Sequence, residues 1–256
     1  MRDLLEELET GVVPGDGAMG TALLEAGVSQ CLEEACVSRP EIVRAIHGQY
    51  IEAGARLIRT NTFGANAARL ARFGCENRVN EINWSAAQLA KDCARGKPVY
   101  VAGSVGPLGV PPSGSLFKEQ IGALLDGGVD LIFLETFTDI DELALALYVK
   151  QSLHHCPVVC SLAGGAADKA RLPGADILGF NCVGVDAMLQ LFEKNAGFVS
   201  AFPNAGYPAT TTPEEFARGA RELVSHGARL VGGCCGIGPR HIAAMVDALG
   251  VLAGSN

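Results

Sequence analysis

One short phrase recurs along the chain. Gly54-Ala55-Arg56-Leu57-Ile58, Gly128-Val129-Asp130-Leu131-Ile132, Gly174-Ala175-Asp176-Ile177-Leu178 and Gly227-Ala228-Arg229-Leu230-Val231 each run glycine, small residue, charge, apolar pair. Glycine closes a helix by taking the left-handed conformation. An apolar run directly after it reads as a strand buried on both faces. Three of the four phrases follow a good helix pattern, over 40–53, 117–125 and 213–226. This is the punctuation of a helix handing over to a parallel strand. The remaining apolar runs complete a series of strands at 12–16, 57–62, 99–104, 131–135, 158–162, 177–181, 199–203 and 230–233. Helices fit between most of them, at 40–53, 79–95, 117–127, 139–155, 185–196, 213–226 and 239–249.

Eight strands with intervening helices in ~250 residues predict an α/β fold, a (β/α)8 TIM barrel, with an open doubly wound sheet as the alternative. One unit is irregular. The stretch from Ala163 to Ala175 is too short and too rich in Gly and Pro for a crossover helix, so the fifth helix is expected to be shortened or missing. That flank would be thin, and a partner chain or a second copy could cover it. No linker or low-complexity tract interrupts the pattern, and the whole of 1–256 reads as one barrel domain with no room for a second.

Composition narrows the function classes. The 256 residues are 48% hydrophobic and 19% charged, with 32 Gly and a formal net charge of −8. Nucleic acids and anionic membrane surfaces are bound by clustered Lys and Arg, so neither is an expected partner. No apolar run reaches the ~18–20 residues that span a bilayer. The N-terminus, Met1-Arg2-Asp3-Leu4-Leu5-Glu6-Glu7-Leu8-Glu9, is acidic and helical in pattern and lacks the apolar core of a signal peptide. A cytoplasmic location is the expectation, and the nine cysteines are then thiols.

In a barrel of this kind, functional groups gather where strands end at their C-terminal edge. Those ends read Gly15-Asp16-Gly17-Ala18-Met19-Gly20-Thr21, Thr60-Asn61-Thr62-Phe63-Gly64-Ala65-Asn66, Gly103-Ser104-Val105-Gly106-Pro107, Glu135-Thr136, Asn181-Cys182, Pro203-Asn204-Ala205-Gly206 and Gly232-Gly233-Cys234-Cys235-Gly236. Cys182 and the Cys234–Cys235 pair share one rim, where three thiolates can hold a zinc ion and leave its fourth position free. Small buried thiols or a vicinal disulfide are the alternatives on spacing alone. Asp16 can be a simple turn residue. Glu135 ends a run that should be buried, where a carboxylate is costly unless paired. Two carboxylates on the rim can hold an ammonium group, and backbone N–H groups of 17–20 can hold a carboxylate. With Asn204 as a neutral donor and acceptor, the set suits a zwitterionic amino acid.

These strand-end motifs, in this order from about Gly15 to Ile242, resemble the homocysteine S-methyltransferase family. The family includes the homocysteine-binding module of cobalamin-dependent methionine synthase and betaine–homocysteine methyltransferase. The resemblance implies a zinc-containing barrel that methylates homocysteine to methionine. It implies Cys182, Cys234 and Cys235 as zinc ligands. It implies Asp16, Glu135 and Asn204, with backbone around Ala18 and Met19, as contacts to the amino acid, and Thr62 and Ser104 as rim positions only. No catalytic group beyond the zinc-activated substrate thiol is implied. Coordination deprotonates a thiol that otherwise titrates near ~8.5.

Other residues are expected to be structural. His154, His155 and His226 sit near helix ends as solvated caps, and His47 and His241 lie within helices as surface or packing residues. Trp84, in a helix pattern with Ile82 and Leu89, is expected in the core. Cys31, Cys36, Cys75, Cys93, Cys156 and Cys160 are expected to be packing or surface thiols. The methyl donor must be a small molecule or a separate methyl-carrying protein. Two other readings remain open: a methyltransferase for another small thiol, and a subunit that presents homocysteine to a corrinoid or folate/reductase partner.

Overall fold

The computed structural model describes residues 3–153, 155–164, 169–197, 199–206 and 210–251. The eight strands are β1 (Val13–Pro14), β2 (Leu57–Arg59), β3 (Tyr100–Val105), β4 (Leu131–Phe137), β5 (Val158–Leu162), β6 (Ile177–Asn181), β7 (Ser200–Phe202) and β8 (Leu230–Val231). The helices in chain order are α1 (Leu4–Thr10), α2 (Met19–Glu25), α3 (Ala35–Ser38), α4 (Pro40–Glu52), α5 (Ala67–Leu70), α6 (Val79–Ala94), α7 (Gly114–Asp126), α8 (Ile140–Gln151), α9 (Val185–Lys194), α10 (Pro213–Ser225) and α11 (Pro239–Leu249). Every strand pair is parallel, in the order β1-β8-β7-β6-β5-β4-β3-β2. The seam between β1 and β2 closes through a parallel bridge from Gly15 to Leu57. Arg56 N–H donates to the Pro14 carbonyl at 2.7 Å and Asp16 N–H to the Leu57 carbonyl at 2.9 Å across that seam. The sheet is therefore a closed (β/α)8 barrel rather than an open doubly wound sheet.

The recurrent phrase works as its chemistry requires. All four of its glycines adopt positive φ, 97° at Gly54, 83° at Gly128, 79° at Gly174 and 104° at Gly227. A side chain would strain that backbone, so glycine marks each entry into a strand. β5, β6 and α11 have the predicted bounds. β1, β2, β7 and β8 are shorter than predicted because the chain leaves the ladder early to build the mouth. Helices α2, α3 and α5 lie in the loops that follow β1 and β2, where no helix was predicted.

Along each strand, side chains alternate between two layers. Ile132 and Leu134 of β4 face outward and join the large core under the helices, with Val101, Val105, Cys160, Phe180 and Val231. Leu131 and Phe133 face inward with Leu57, Tyr100, Val159, Ile177, Phe202 and Leu230. Leu4 and Leu8 of α1 pack on this inner cluster, so the N-terminal helix plugs the lumen. The lumen is thus a packed apolar column.

Between β5 and β6 the described residues contain one 3-10 turn, Lys169–Arg171, in place of a crossover helix. Residues 165–168 of this stretch, like His154, lie outside the described residues. Trp84 corrects an expectation: it is 48% exposed. The buried face of α6 is carried instead by Val79, Ile82, Asn83, Ala86, Ala87, Leu89 and Ala90, so the indole falls on the side turned away from the barrel. His241 caps its own helix, accepting from Gly238 N–H at 3.2 Å, and its Nε2 lies 2.9 Å from the Thr211 carbonyl.

His47 is a packing histidine. It is fully buried on α4, and neither ring nitrogen has a partner among the described residues. Burial lowers its pKa to about 4. Above pH ~6.5 the ring is neutral in both states and adds no pH dependence. Below that, the unfolded chain takes up a proton that the folded chain refuses until about pH 4, so stability falls with acid. The loss from this residue reaches ~3 kcal/mol. Urea titrations at about pH 7 and about pH 4.5 should show a larger loss for the wild type than for His47→Leu; equal losses would contradict the assignment.

Candidate active site at the barrel mouth

The inner column ends in charge. Arg59, the last residue of β2, points into the lumen above Phe133 and Phe202, which meet edge to face at 5.1 Å. Its guanidinium carbon lies 4.5 Å from the Phe202 ring centre and 5.7 Å from that of Phe133. Nε donates to Asp16 at 2.8 Å and Nη1 to Glu135 at 2.7 Å. Nη2 donates to the carbonyls of Gly17 at 3.0 Å and Gly233 at 2.7 Å. The backbone N–H of Arg59 donates to the second Asp16 oxygen at 2.7 Å, so this carboxylate continues the ladder where β1 has ended. The other Glu135 oxygen accepts from Ser104 Oγ at 2.5 Å. Ser104 N–H in turn donates to Thr60 Oγ1 at 3.0 Å, and Thr62 Oγ1 donates to the Ser104 carbonyl at 2.7 Å.

Asp16, Arg59 and Glu135 are all buried. Burial pushes the Asp16 carboxyl up from the usual range, against the pull of Arg59. Burial would weaken the guanidinium's hold on its proton, but Glu135 and then Asp16 reverse that and raise its pKa. The sequence reading missed Arg59. A charge two residues after Leu57 must share its inward face, and the argument that flagged Glu135 applies equally to it.

The three cysteines named from the sequence do converge. The sulfurs of Cys182, Cys234 and Cys235 all lie within 4.8 Å of one another, with 4.0 Å between those of Cys182 and Cys235. Ligands of a tetrahedral zinc with Zn–S bonds of ~2.3 Å sit ~3.8 Å apart, so the cluster fits that ion with little movement. None of the nine cysteines is in a disulfide. With protons alone to share, Cys235 is lowered by hydrogen bonds from Cys182 and Cys234. Cys234 is raised by its hydrogen bonds with Cys182 and Cys235 and by burial. Three sulfurs this close cannot all ionise without a cation between them.

The motif after β7 is the brace of this cluster. Cys234 N–H donates to the Pro203 carbonyl and Ala205 N–H to the Cys235 carbonyl, both at 2.8 Å. Asn204 Nδ2 donates to the Cys182 carbonyl, also at 2.8 Å. Gly232 sits where a Cβ would meet the Phe202 ring at 2.3 Å and the Asp16 carbonyl at 2.7 Å. A larger residue there would push the cysteine turn off the charged floor.

Strain marks the link between the two halves. Thr136 and Cys182 have φ of 63° and 60°, the two non-glycine residues in the left-handed region among the described residues. The β4–β5 register shifts between Leu134 and Phe137, a bulge that re-aims Glu135 and Thr136. Asn181 locks it: its Oδ1 accepts from Thr136 N–H at 2.9 Å and from Ser161 Oγ at 2.9 Å, and its Nδ2 donates to Thr136 Oγ1 at 2.6 Å. One side chain thus fixes the residue after Glu135 while its own backbone leads into Cys182.

A cavity of about 260 Å³ opens over these groups. It is lined by Asp16, Arg59, Ser104, Glu135, all three cysteines and the 17–21 segment. The N–H of Ala18 is spent on the Ile237 carbonyl at 2.8 Å, so Ala18 offers shape rather than a donor. Met19 and Gly20, in the first turn of α2, line the cavity, and first-turn N–H groups have no partner within their own helix.

A family model for homocysteine S-methyltransferase matches residues 14–249. The chain belongs to the homocysteine S-methyltransferase family. Methionine synthase of Mycobacterium leprae is 33% identical across 94% of this chain, and that of Mycobacterium tuberculosis 31% across the same share. This chain spans about a quarter of the length of those curated relatives, 24% and 25%. The metallated form of the homocysteine methyltransferase MmuM from Escherichia coli superposes with a TM-score of 0.76 at 24% identity, covering 93% of this chain and 96% of that one. This likeness speaks to the shared fold.

Asn181→Ala tests the lock. It strands the part-buried Thr136 N–H and removes what holds a β-branched residue in a strained conformation, so unfolding free energy should fall by ~2 kcal/mol or more. Adding Thr136→Gly to that variant should recover part of the loss. Denaturant titration of both variants is the check, and a change under ~0.5 kcal/mol for Asn181→Ala would contradict the reading.

Proposed function

We propose that this barrel transfers a methyl group to the thiol of homocysteine, giving methionine, with zinc held by Cys182, Cys234 and Cys235. The observation that carries the proposal is the juxtaposition in one cavity of three clustered sulfurs and a buried carboxylate pair with net negative charge. A small thiol that is also an amino acid satisfies both ends at once. Zinc bound by three thiolates would leave one corner for the substrate sulfur and favour its thiolate form at neutral pH.

The chain's own residues do the rest. Asp16 and Glu135 face the ammonium group, since each carboxylate oxygen has a second lone pair beyond its bond to Arg59 or Ser104. Met19 and Gly20 offer N–H groups to the carboxylate. Pro203, Asn204 and Ala205 keep the cysteine loops in register. Among the described residues no histidine lines the cavity; zinc held by the three cysteines would favour the thiolate.

The methyl donor comes as a small molecule or on a separate methyl-carrying protein. The greater length of the curated relatives favours a second reading of the donor side, in which the barrel presents homocysteine to a corrinoid or folate/reductase partner. A related small thiol is the alternative acceptor.

Metal analysis and methionine formation test the proposal together. The purified protein should hold about one zinc per chain, as expected for a three-cysteine site, and Cys234→Ala should lose most of it. Methionine should form from homocysteine with S-methylmethionine, betaine or methylcobalamin. Activity with methylcobalamin alone would favour the partner-dependent reading. Zinc retained at full occupancy by Cys234→Ala would overturn the proposed site.

A further inference from the structure

We propose that Arg59 is the positioning and specificity-determining residue of the amino-acid pocket: it fixes Asp16 and Glu135 in a triad of formal net charge −1, matched to one ammonium group, and ties that triad to the turn bearing Cys234. The inference rests on the reading above, in which the carboxylates face the substrate's amino group.

Two carboxylates brought to one buried floor repel unless a cation lies between them. At formal charge, one guanidinium bridges the two carboxylates, and two negative charges with one positive leave a single unit uncompensated. One incoming ammonium cancels it. A thiol without an amino group leaves it unpaired in a buried site, where an unpaired charge is costly. The charge count therefore selects for the amino acid.

The contacts show why arginine serves. Nε and Nη1 reach two carboxylates from different parts of the rim, Asp16 after β1 at 2.8 Å and Glu135 on β4 at 2.7 Å, while Nη2 reaches the Gly233 carbonyl at 2.7 Å and the Gly17 carbonyl at 3.0 Å. Gly233 precedes Cys234, and Gly17 precedes Ala18 and the donors of α2. A planar fork spans these four acceptors from one residue, whereas a lysine ammonium is a point. The guanidinium carbon lies 4.5 Å from the Phe202 ring centre, within cation–π range.

The test uses zinc-loaded protein and two thiols, homocysteine and 4-mercaptobutanoate, which lacks only the amino group. Binding is measured by calorimetry, so no methyl donor is needed. The wild type should prefer homocysteine by about a hundredfold. Arg59→Lys, checked for zinc content and thermal unfolding, should lose at least about tenfold of that preference, almost all through weaker homocysteine binding. Glu135→Gln keeps the guanidinium but makes the floor neutral; it should lose a similar factor, and it decides the matter if Arg59→Lys fails to fold. Both thiols weakening by the same factor, or an unchanged preference in the folded variants, would overturn the assignment alone. A wild type that does not distinguish the two thiols would overturn the homocysteine reading and this assignment with it.

Discussion

A guanidinium buried at the top of an apolar column holds the mouth of this barrel together. Taking one arginine and two carboxylates out of water costs several kcal/mol per ion, and only good geometry with further hydrogen bonds offsets it. Here Arg59 bonds both carboxylates and two peptide carbonyls, and two phenylalanine rings lie beneath it. The same contacts close the seam between the first two strands, because an Asp16 oxygen accepts the backbone N–H of Arg59 where β1 has run out. The charge that lines the cavity is also the charge that completes the barrel.

From that floor the rest of the mouth is placed by short links. Gly233 accepts from Arg59 and leads into Cys234 and Cys235. The Pro203–Ala205 segment ties both cysteine loops to β7. Asn181 joins Glu135's neighbour Thr136 to the backbone that carries Cys182. A local change in any of these would be felt by both the sulfur cluster and the carboxylates, since packed networks of this kind move as units. The two left-handed residues, Thr136 and Cys182, sit where strain is tolerated because the surroundings over-determine it.

Much of this was legible in the sequence. The glycine phrase announced the strands, because a left-handed helix end followed by a buried apolar run has few other uses. Cys182, Cys234 and Cys235 were legible as rim residues because parallel strands in a barrel all end on one side. What escaped were features set by tertiary contacts. Arg59 looked like an ordinary charge in a strand, since its partners lie 43 and 76 residues away. Ala18 sat in the right motif but spends its N–H on the scaffold. Trp84 kept a helical spacing with Ile82 and Leu89 yet fell on the outer face, because the apolar stripe of α6 is made largely of alanines. The loop helices α2, α3 and α5 are too short for periodicity to reveal.

The central claim is that the three sulfurs hold a zinc ion with one corner open to the substrate thiol. X-ray absorption at the zinc edge, before and after adding homocysteine, tests it directly. The account predicts a first shell of three sulfurs at ~2.3 Å with one lighter ligand, replaced by a fourth sulfur when homocysteine is present. A shell dominated by nitrogen and oxygen, or a spectrum that homocysteine leaves unchanged, would contradict it.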